Sequence, residues 1–319
     1  MAGPRPFRFG VFAEGVLTRD SLLDTARRAE DDGFATLLIR DHFIAEPFGH
    51  QLAPLATLAT VASVTKRLRI GSLVFSNDYR HPVILAKEAA TLDVLSEGRL
   101  ELGLGAGFSR SEYAQSGLAF DPISVRAERL AESLQILKGL FKGEPFTFRG
   151  RHYEIANLQS FPASLQRPHP PLLIGGSGPR MLAVAAKEAG IVGLQTVSTS
   201  TGTAVQDPTL QSAETVRRKL DLLKRLAGAR FDDIELSMVV SVILAEDRQR
   251  AAERVARDRG WDGISADEIL AMPSVFIGSV DTIVAEMQAR RQSFGFSYYV
   301  VHDRAMRDVA PVVARLAGR

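Results

Sequence analysis

The chain has 319 residues, 39 Lys plus Arg against 37 Asp plus Glu, a formal charge of +2 and no cysteine. That length holds two average domains or one large α/β barrel, and either buries a substantial core. Without cysteine there is no disulfide framework, thiolate zinc site, iron–sulfur cluster or catalytic thiol, which fits a reducing, cytoplasmic setting. Balanced charge with no basic block argues against a nucleic-acid partner, yet leaves room for an anionic ligand.

The opening residues, MAGPRPFRFG, lack the apolar stretch of a leader and run straight into an extended segment. No run reaches the ~18 to 20 apolar residues that span a bilayer, so no membrane partner is expected. Short aliphatic runs then alternate with longer amphipathic ones. Extended segments are predicted at 7–12, 35–40, 68–75, 99–105, 171–175, 191–196, 234–245 and 296–302. Helical patterns follow them at 20–32, 54–65, 82–95, 124–141, 179–189, 213–226, 248–259 and 308–316. Strands apolar on both faces and separated by helices belong in a covered parallel sheet. Eight such units in a chain of about 250 to 320 residues point to an α/β (β/α)8 TIM barrel, with a doubly wound open sheet as the alternative. No composition break or Gly/Ser linker divides the chain, so residues 1–319 read as a single barrel domain. Insertions are expected after strands four, six and seven, at 143–170, 197–211 and 260–276.

In a barrel of this kind the chemistry sits at the carboxyl ends of the strands. Glu14 lies just past the first strand and reads either as an acid/base or as a solvent-facing loop residue. Asp41 and His42 follow the second. Histidine there is a candidate acid/base because its ordinary pKa lies near neutrality and a neighbouring acid can orient it; the alternative is an exposed loop pair. His81 before Pro82 reads as a helix-start residue. The fourth strand ends Gly103, Gly105, Gly107, and Phe108 stands where a dinucleotide fingerprint needs its third glycine. Glycine there lets a flat ligand approach the backbone, or simply makes a turn. The fifth strand ends Gly175-Gly176-Ser177-Gly178-Pro179-Arg180 at the start of a helix. Free backbone N–H groups and an arginine at a helix N-terminus suit a phosphate, although the loop lacks the Lys-Ser or Lys-Thr of a P-loop. No His/Asp/Glu group has metal-ligand spacing, so no metal is expected. Trp261 reads as a packing residue, and Arg217, Arg218 and Arg225 as a solvated helix face.

These residues together resemble the bacterial luciferase-like superfamily, and within it the F420-dependent oxidoreductase branch. The resemblance is carried by FRFGVF at the start, by Asp41-His42, by RHPVILAKEAATLDVLSEGRLELGLGAGF over 80–108, and by LLIGGSGPRMLAVAAKEAG over 172–190. It implies a deazaflavin ring in the barrel mouth near Asp41 and His42, with His42 as acid/base or substrate-orienting group. A bulge with a cis peptide near Leu73-Val74 would support the ring, Gly105, Gly107 and Phe108 would line the ring or its side chain, and Gly175, Gly176, Ser177, Gly178 and Arg180 would hold the phosphate. It also implies a homodimer. Two departures stand out: some deazaflavin dehydrogenases of the superfamily carry glutamate where Phe108 stands, which speaks against a glucose-6-phosphate dehydrogenase-like role, and Ile191-Val192-Gly193 replaces a common Asp-Gly ending.

The function expected is hydride transfer between coenzyme F420 and a small organic substrate, with Glu14, Asp41 and His42 as catalytic candidates. A monooxygenase using reduced FMN is the first alternative, because a helix-N-terminal phosphate site serves either cofactor. A non-catalytic cofactor-binding protein is the second. A cofactor-free aldolase or isomerase would need a lysine or carboxylate at a strand end, and none of the seven lysines lies at one.

Overall fold

Strands that are apolar on both faces need cover on both sides, and in the computed structural model, which describes residues 5–199 and 202–319, they obtain it by closing on themselves. The eight are β1 Arg8–Phe12, β2 Thr36–Ile39, β3 Arg69–Ser72, β4 Leu100–Gly105, β5 Leu172–Gly176, β6 Ile191–Leu194, β7 Glu235–Val239 and β8 Phe296–His302. Each pairs in parallel with the next, and β1 pairs with β8 to complete the ring. Outside them lie α1 Arg19–Asp31, α2 Pro54–Val64, α3 Pro82–Leu95, α4 Ile123–Leu140, α5 Pro179–Glu188, α6 Ala213–Ala227, α7 Val280–Phe294 and α8 Met306–Leu316. The fold is the (β/α)8 barrel that the alternation implied.

Local chemistry sets the helix starts. Thr18 and Ser21 form a reciprocal capping box at α1, which buries Leu22, Leu23, Ala26 and Ala29. Pro82 and Pro179 occupy first-turn positions of α3 and α5, where no N–H is missed. His81 caps α3 by accepting from the Val83 N–H at 3.3 Å, the structural role expected of it. None of the described helices is long and apolar enough to cross a membrane.

Inside the ring, Phe12, Leu38, Leu173, Ile191, Tyr298 and Val300 form one cluster. Toward the amino ends of the strands, Arg8 binds both oxygens of Glu235 at 2.7 and 2.8 Å, pairs with Glu101 and lies over the Tyr298 ring at 3.7 Å. With the lower interior so filled, the carboxyl ends are the side left for a ligand.

The seventh unit differs from expectation. The apolar run 234–245 is not one strand: β7 ends at Val239, and Ser241–Leu244 instead pairs with Val275–Gly278 in a separate two-stranded sheet. Helix Arg248–Asp258, assigned from sequence to the barrel wall, packs with Ala266–Ala271 and Trp261 in a cluster of its own. The barrel's seventh helix is α7, which the sequence pattern left unassigned. The segment 143–170 is an excursion, as expected, and contains the antiparallel hairpin Phe146–Arg149 and Glu154–Leu158.

Candidate functional site

At the carboxyl ends of the strands lies a cavity of about 410 Å³, within the ordinary range for a small-molecule site. Its floor comes from an interruption of β3. Ladder pairing stops after Ser72 and resumes at Phe75, and the intervening Leu73–Val74 peptide is cis, where the resemblance placed it. Neighbouring strands make room by lacking side chains. A Cβ on Gly105 would stand 2.7 Å from Val74 Cγ2, one on Gly175 would stand 3.1 Å from Val74 Cγ1, and one on Gly103 would stand 1.9 Å from the Ser72 carbonyl oxygen. The glycines of β4 and β5 are therefore close-approach positions. Leu73, Val74, Gly175 and Gly193 together give the cavity an apolar floor.

One wall carries Glu14, Arg40 and His302 from the ends of β1, β2 and β8. Glu14 pairs with the Arg40 guanidinium, whose Nε lies 2.5 Å from Oε1, and with His302 Nδ1 at 2.7 Å. Arg40 is sandwiched between the rings of Phe12 and Phe48, at 4.2 and 3.7 Å. Burial works to raise the Glu14 carboxyl, but the hydrogen bond from His302 and the charge on Arg40 outweigh it and hold the group below its ordinary value. The solvent-facing alternative for Glu14 is thereby corrected: only 20% of its side chain is exposed, and both oxygens are engaged.

Asp41 and His42 part company. Asp41 is 3% exposed and takes both Nη atoms of Arg80, one at 3.0 Å, together with the Ser76 N–H at 3.0 Å. It fixes the chain after β3 and is not among the side chains that line the cavity. His42 binds Glu112 through Nδ1 at 2.9 Å, and its ring rests against Phe48 and Phe108 with centroids 5.2 and 5.6 Å away. Those two phenyl rings line the cavity, with His42 immediately behind them. Glu112, fully buried, also accepts from Tyr79 Oη at 2.8 Å and from the N–H groups of Phe43 and Ile44. Burial opposes its ionisation, but the bonds from His42, Phe43 and Tyr79 hold its carboxyl below the ordinary value.

Of the remaining candidates, Phe108 is in the wall, Gly105 lies under Val74, and Gly107 serves a turn. Its φ is +72°, and a Cβ there would stand 2.1 Å from Tyr113 Oη. In the glycine loop only Gly175 reaches the cavity. Gly176 ends β5, Ser177 and Gly178 lead into α5, and Arg180 is exposed with no hydrogen bond or ion pair among the described residues. Sequence reading missed Arg40, Glu112, Gln211, Arg259, His302 and Arg304. The strand-end rule pointed at Arg40 and His302; nothing local marked the others.

Comparison with known proteins extends the same picture. Residues 7–294 match the luciferase-like monooxygenase family. The F420-dependent glucose-6-phosphate dehydrogenase of Nakamurella multipartita is 34% identical over 258 residues, covering 78% of this chain and 71% of that one. The enzyme of the same name from Microbacterium testaceum is 30% identical over 325 residues, covering 93% and 92%. In fold, the F420-dependent tetrahydromethanopterin reductase of Methanopyrus kandleri superposes with a TM-score of 0.76 at 20% identity, over 98% of this chain and 99% of that one. Relatives include both F420-dependent dehydrogenases and a flavin-dependent monooxygenase. A family match over nearly the whole barrel, with a cavity at the strand ends where such enzymes work, makes this chain a member of the luciferase-like family of flavin- or F420-dependent oxidoreductases.

Proposed function

We propose that the protein transfers a hydride between coenzyme F420 and a small organic substrate in the barrel mouth. The observation that carries this reading is the floor: a bulged Leu73-Val74 segment packed against glycines in β4 and β5, leaving an apolar surface that accepts a flat ring and that a Cβ at Gly105 or Gly175 would disturb. The names of the two dehydrogenases above support F420 over FMN.

When bound, the deazaflavin supplies the hydride chemistry, and the protein supplies binding, orientation and electrostatics. Leu73 and Val74 would carry the ring, while Gly176, Ser177, Gly178 and Arg180 would meet the phosphate through the unpaired N–H groups of the first turn of α5 and a free guanidinium. Phe48 and Phe108 screen one side from water. The proton that accompanies the hydride falls to an imidazole. Both histidines are held through Nδ1 by a lowered-pKa carboxylate, His302 in the cavity wall by Glu14 and His42 behind Phe48 and Phe108 by Glu112. His302, whose ring reaches the cavity, would take or give the proton through Nε2, and His42 would do so only if those rings part. The sequence argued for His42 alone; the geometry adds His302. An apolar Phe108 in the wall supports a substrate other than glucose 6-phosphate.

Side-by-side fluorescence titrations with F420 and FMN test the cofactor. F420 is expected to bind at micromolar concentration and FMN at least about tenfold more weakly, a difference of about 1.4 kcal/mol. Tighter binding of FMN, or none of F420, overturns the assignment.

A further inference from the structure

The charges around the cavity do not cancel. Its charged lining residues are Glu14, Arg40, Arg259 and Arg304, together with His302. Glu14 is already shared between Arg40 and His302, which leaves two guanidiniums on the wall supplied after β7 and β8. The nearest acid in sequence, Asp303, accepts from the backbone N–H groups of Glu14, Gly15 and Arg304 instead. Neither Arg259 nor Arg304 forms an ion pair among the described residues.

Arg259 is held in place. Its Nη2 donates to Ser241 Oγ at 2.8 Å, its Nη1 to Gln211 Oε1 at 3.4 Å, and its guanidinium lies 4.8 Å from the Trp261 ring centroid. Gln211 Oε1 also accepts from Ser274 Oγ at 3.0 Å, which leaves the Gln211 amide hydrogens with no acceptor among the described residues. Burial, and then the like charge of Arg304, lowers the Arg259 pKa, the direction expected of a cation without a counter-ion. Arg259 thus bonds only neutral side-chain oxygens, and two guanidiniums and a carboxamide stand at one wall with no carboxylate paired to them among the described residues. A cation partly withdrawn from water is ordinarily paired, and Arg259, half-buried, lines the cavity.

Resting on the hydride-transfer reading, we infer that this wall binds an oxyanion of the substrate, a carboxylate or a phosphate, with Arg259 as principal anchor and Arg304 at the rim. The substrate is then a small organic acid or phosphate ester that shares a cavity of about 410 Å³ with the cofactor ring. The cofactor's own phosphate has a separate place, since the glycine loop and Arg180 follow β5, whereas Arg259 and Arg304 follow β7 and β8.

Isothermal titration of the F420-saturated protein with inorganic phosphate, and separately with benzoate, tests this. Wild type is expected to bind at least one of them, phosphate indicating an ester and benzoate an acid. Arg259→Gln weakens that binding at least about tenfold, which a lost guanidinium–oxyanion contact of about 1.4 kcal/mol or more produces, and Arg304→Gln weakens it less. F420 affinity, read by fluorescence, stays within about twofold in both variants, and unchanged melting confirms that they fold. Failure of wild type to bind either anion, equal binding by Arg259→Gln, or a loss of F420 affinity in place of anion affinity overturns the inference. If F420 itself does not bind, the same titrations on the protein alone still decide: Arg259-dependent anion binding then survives the loss of the cofactor assignment.

Discussion

Glu112 is the most heavily committed carboxylate beside the site, and replacing it by glutamine isolates its charge at nearly constant volume. Four donors converge on it: His42 Nδ1, Tyr79 Oη and the N–H groups of Phe43 and Ile44. Glutamine offers one acceptor oxygen and one NH₂, so if its oxygen serves the two backbone groups, the NH₂ meets the two side chains. Two charge-assisted bonds, worth about 1.5 to 3 kcal/mol each, then give way to weaker neutral ones. With no solvent at Glu112 to compensate, Glu112→Gln should cost about 3 kcal/mol. For a chain of this length that lowers the melting temperature by about 5 °C. The sign with pH follows from the lowered carboxyl. Its stabilisation is complete above the ordinary value of 4.5 and is lost as pH falls below that toward the folded value, whereas glutamine does not titrate. Thermal unfolding of both proteins from pH 7 downward should therefore show two curves that converge in acid. A gap below about 1 °C at pH 7, or one that widens on acidification, refutes the reasoning.

Three further perturbations discriminate among the parts. Gly105→Ala places a Cβ 2.7 Å from Val74 Cγ2; an overpacking cost of about 1 to 3 kcal/mol leaves the protein folded, and F420 affinity by fluorescence titration should drop at least about tenfold because Val74 must move within the floor. Asp41→Asn strips the charge from a buried partner of Arg80 and should destabilise by about 2 to 4 kcal/mol in urea unfolding, whereas Arg80→Met with Asp41→Asn should recover part of that loss. Glu14→Gln should lower turnover at neutral pH more than His42→Gln does if His302 handles the proton, and the stability gap between Glu14→Gln and wild type should close as pH drops below 4.5, because the Glu14 carboxyl is held low in the fold.

The barrel was legible because its strands are short, apolar on both faces and separated by helices, a pattern that has few other solutions. The seventh unit was not, and two residues show why. Val240 continues the aliphatic run of β7 in sequence, yet its N–H bonds Val300 while the next residue turns to a different partner strand, with Ser241 N–H bonding Ser274. Periodicity does not register a change of partner. In α7 the buried face reads Ile283, Val284, Met287 and then Arg290, whose guanidinium lies against the carbonyls of Leu270, Pro273 and Val275 at 2.6 to 3.1 Å. A charged residue that satisfies backbone acceptors inside the core breaks the apolar stripe by which a helix is recognised.

At the site, position was easier to read than partnership. The strand-end rule singled out Glu14 and His42 and pointed to the places where Arg40 and His302 stand. The glycines of β4 were read as allowing a close approach, whereas those of β5 were read as a phosphate loop. What chain proximity suggested, that Asp41 orients His42, is the one pairing the geometry excludes. Successive residues leaving a strand point to opposite sides, so Asp41 turns toward Arg80, 39 positions on, and His42 toward Glu112, 70 positions on. Glu112 itself carries a local signal that misleads: Ser109 three residues before it resembles a capping box, and Ser109 Oγ does accept from the Glu112 N–H at 3.4 Å. Its carboxylate nevertheless leaves the helix end for His42 and Tyr79, because a fully buried charge gains more from four converging donors than from the one N–H a capping box would supply. The same logic covers Glu14, which meets His302 across 288 positions. Each of the two imidazoles beside the cavity meets a carboxylate that follows a different strand, 70 positions away for His42 and Glu112 and 288 for His302 and Glu14, and the second pair exists only because β8 closes the ring on β1.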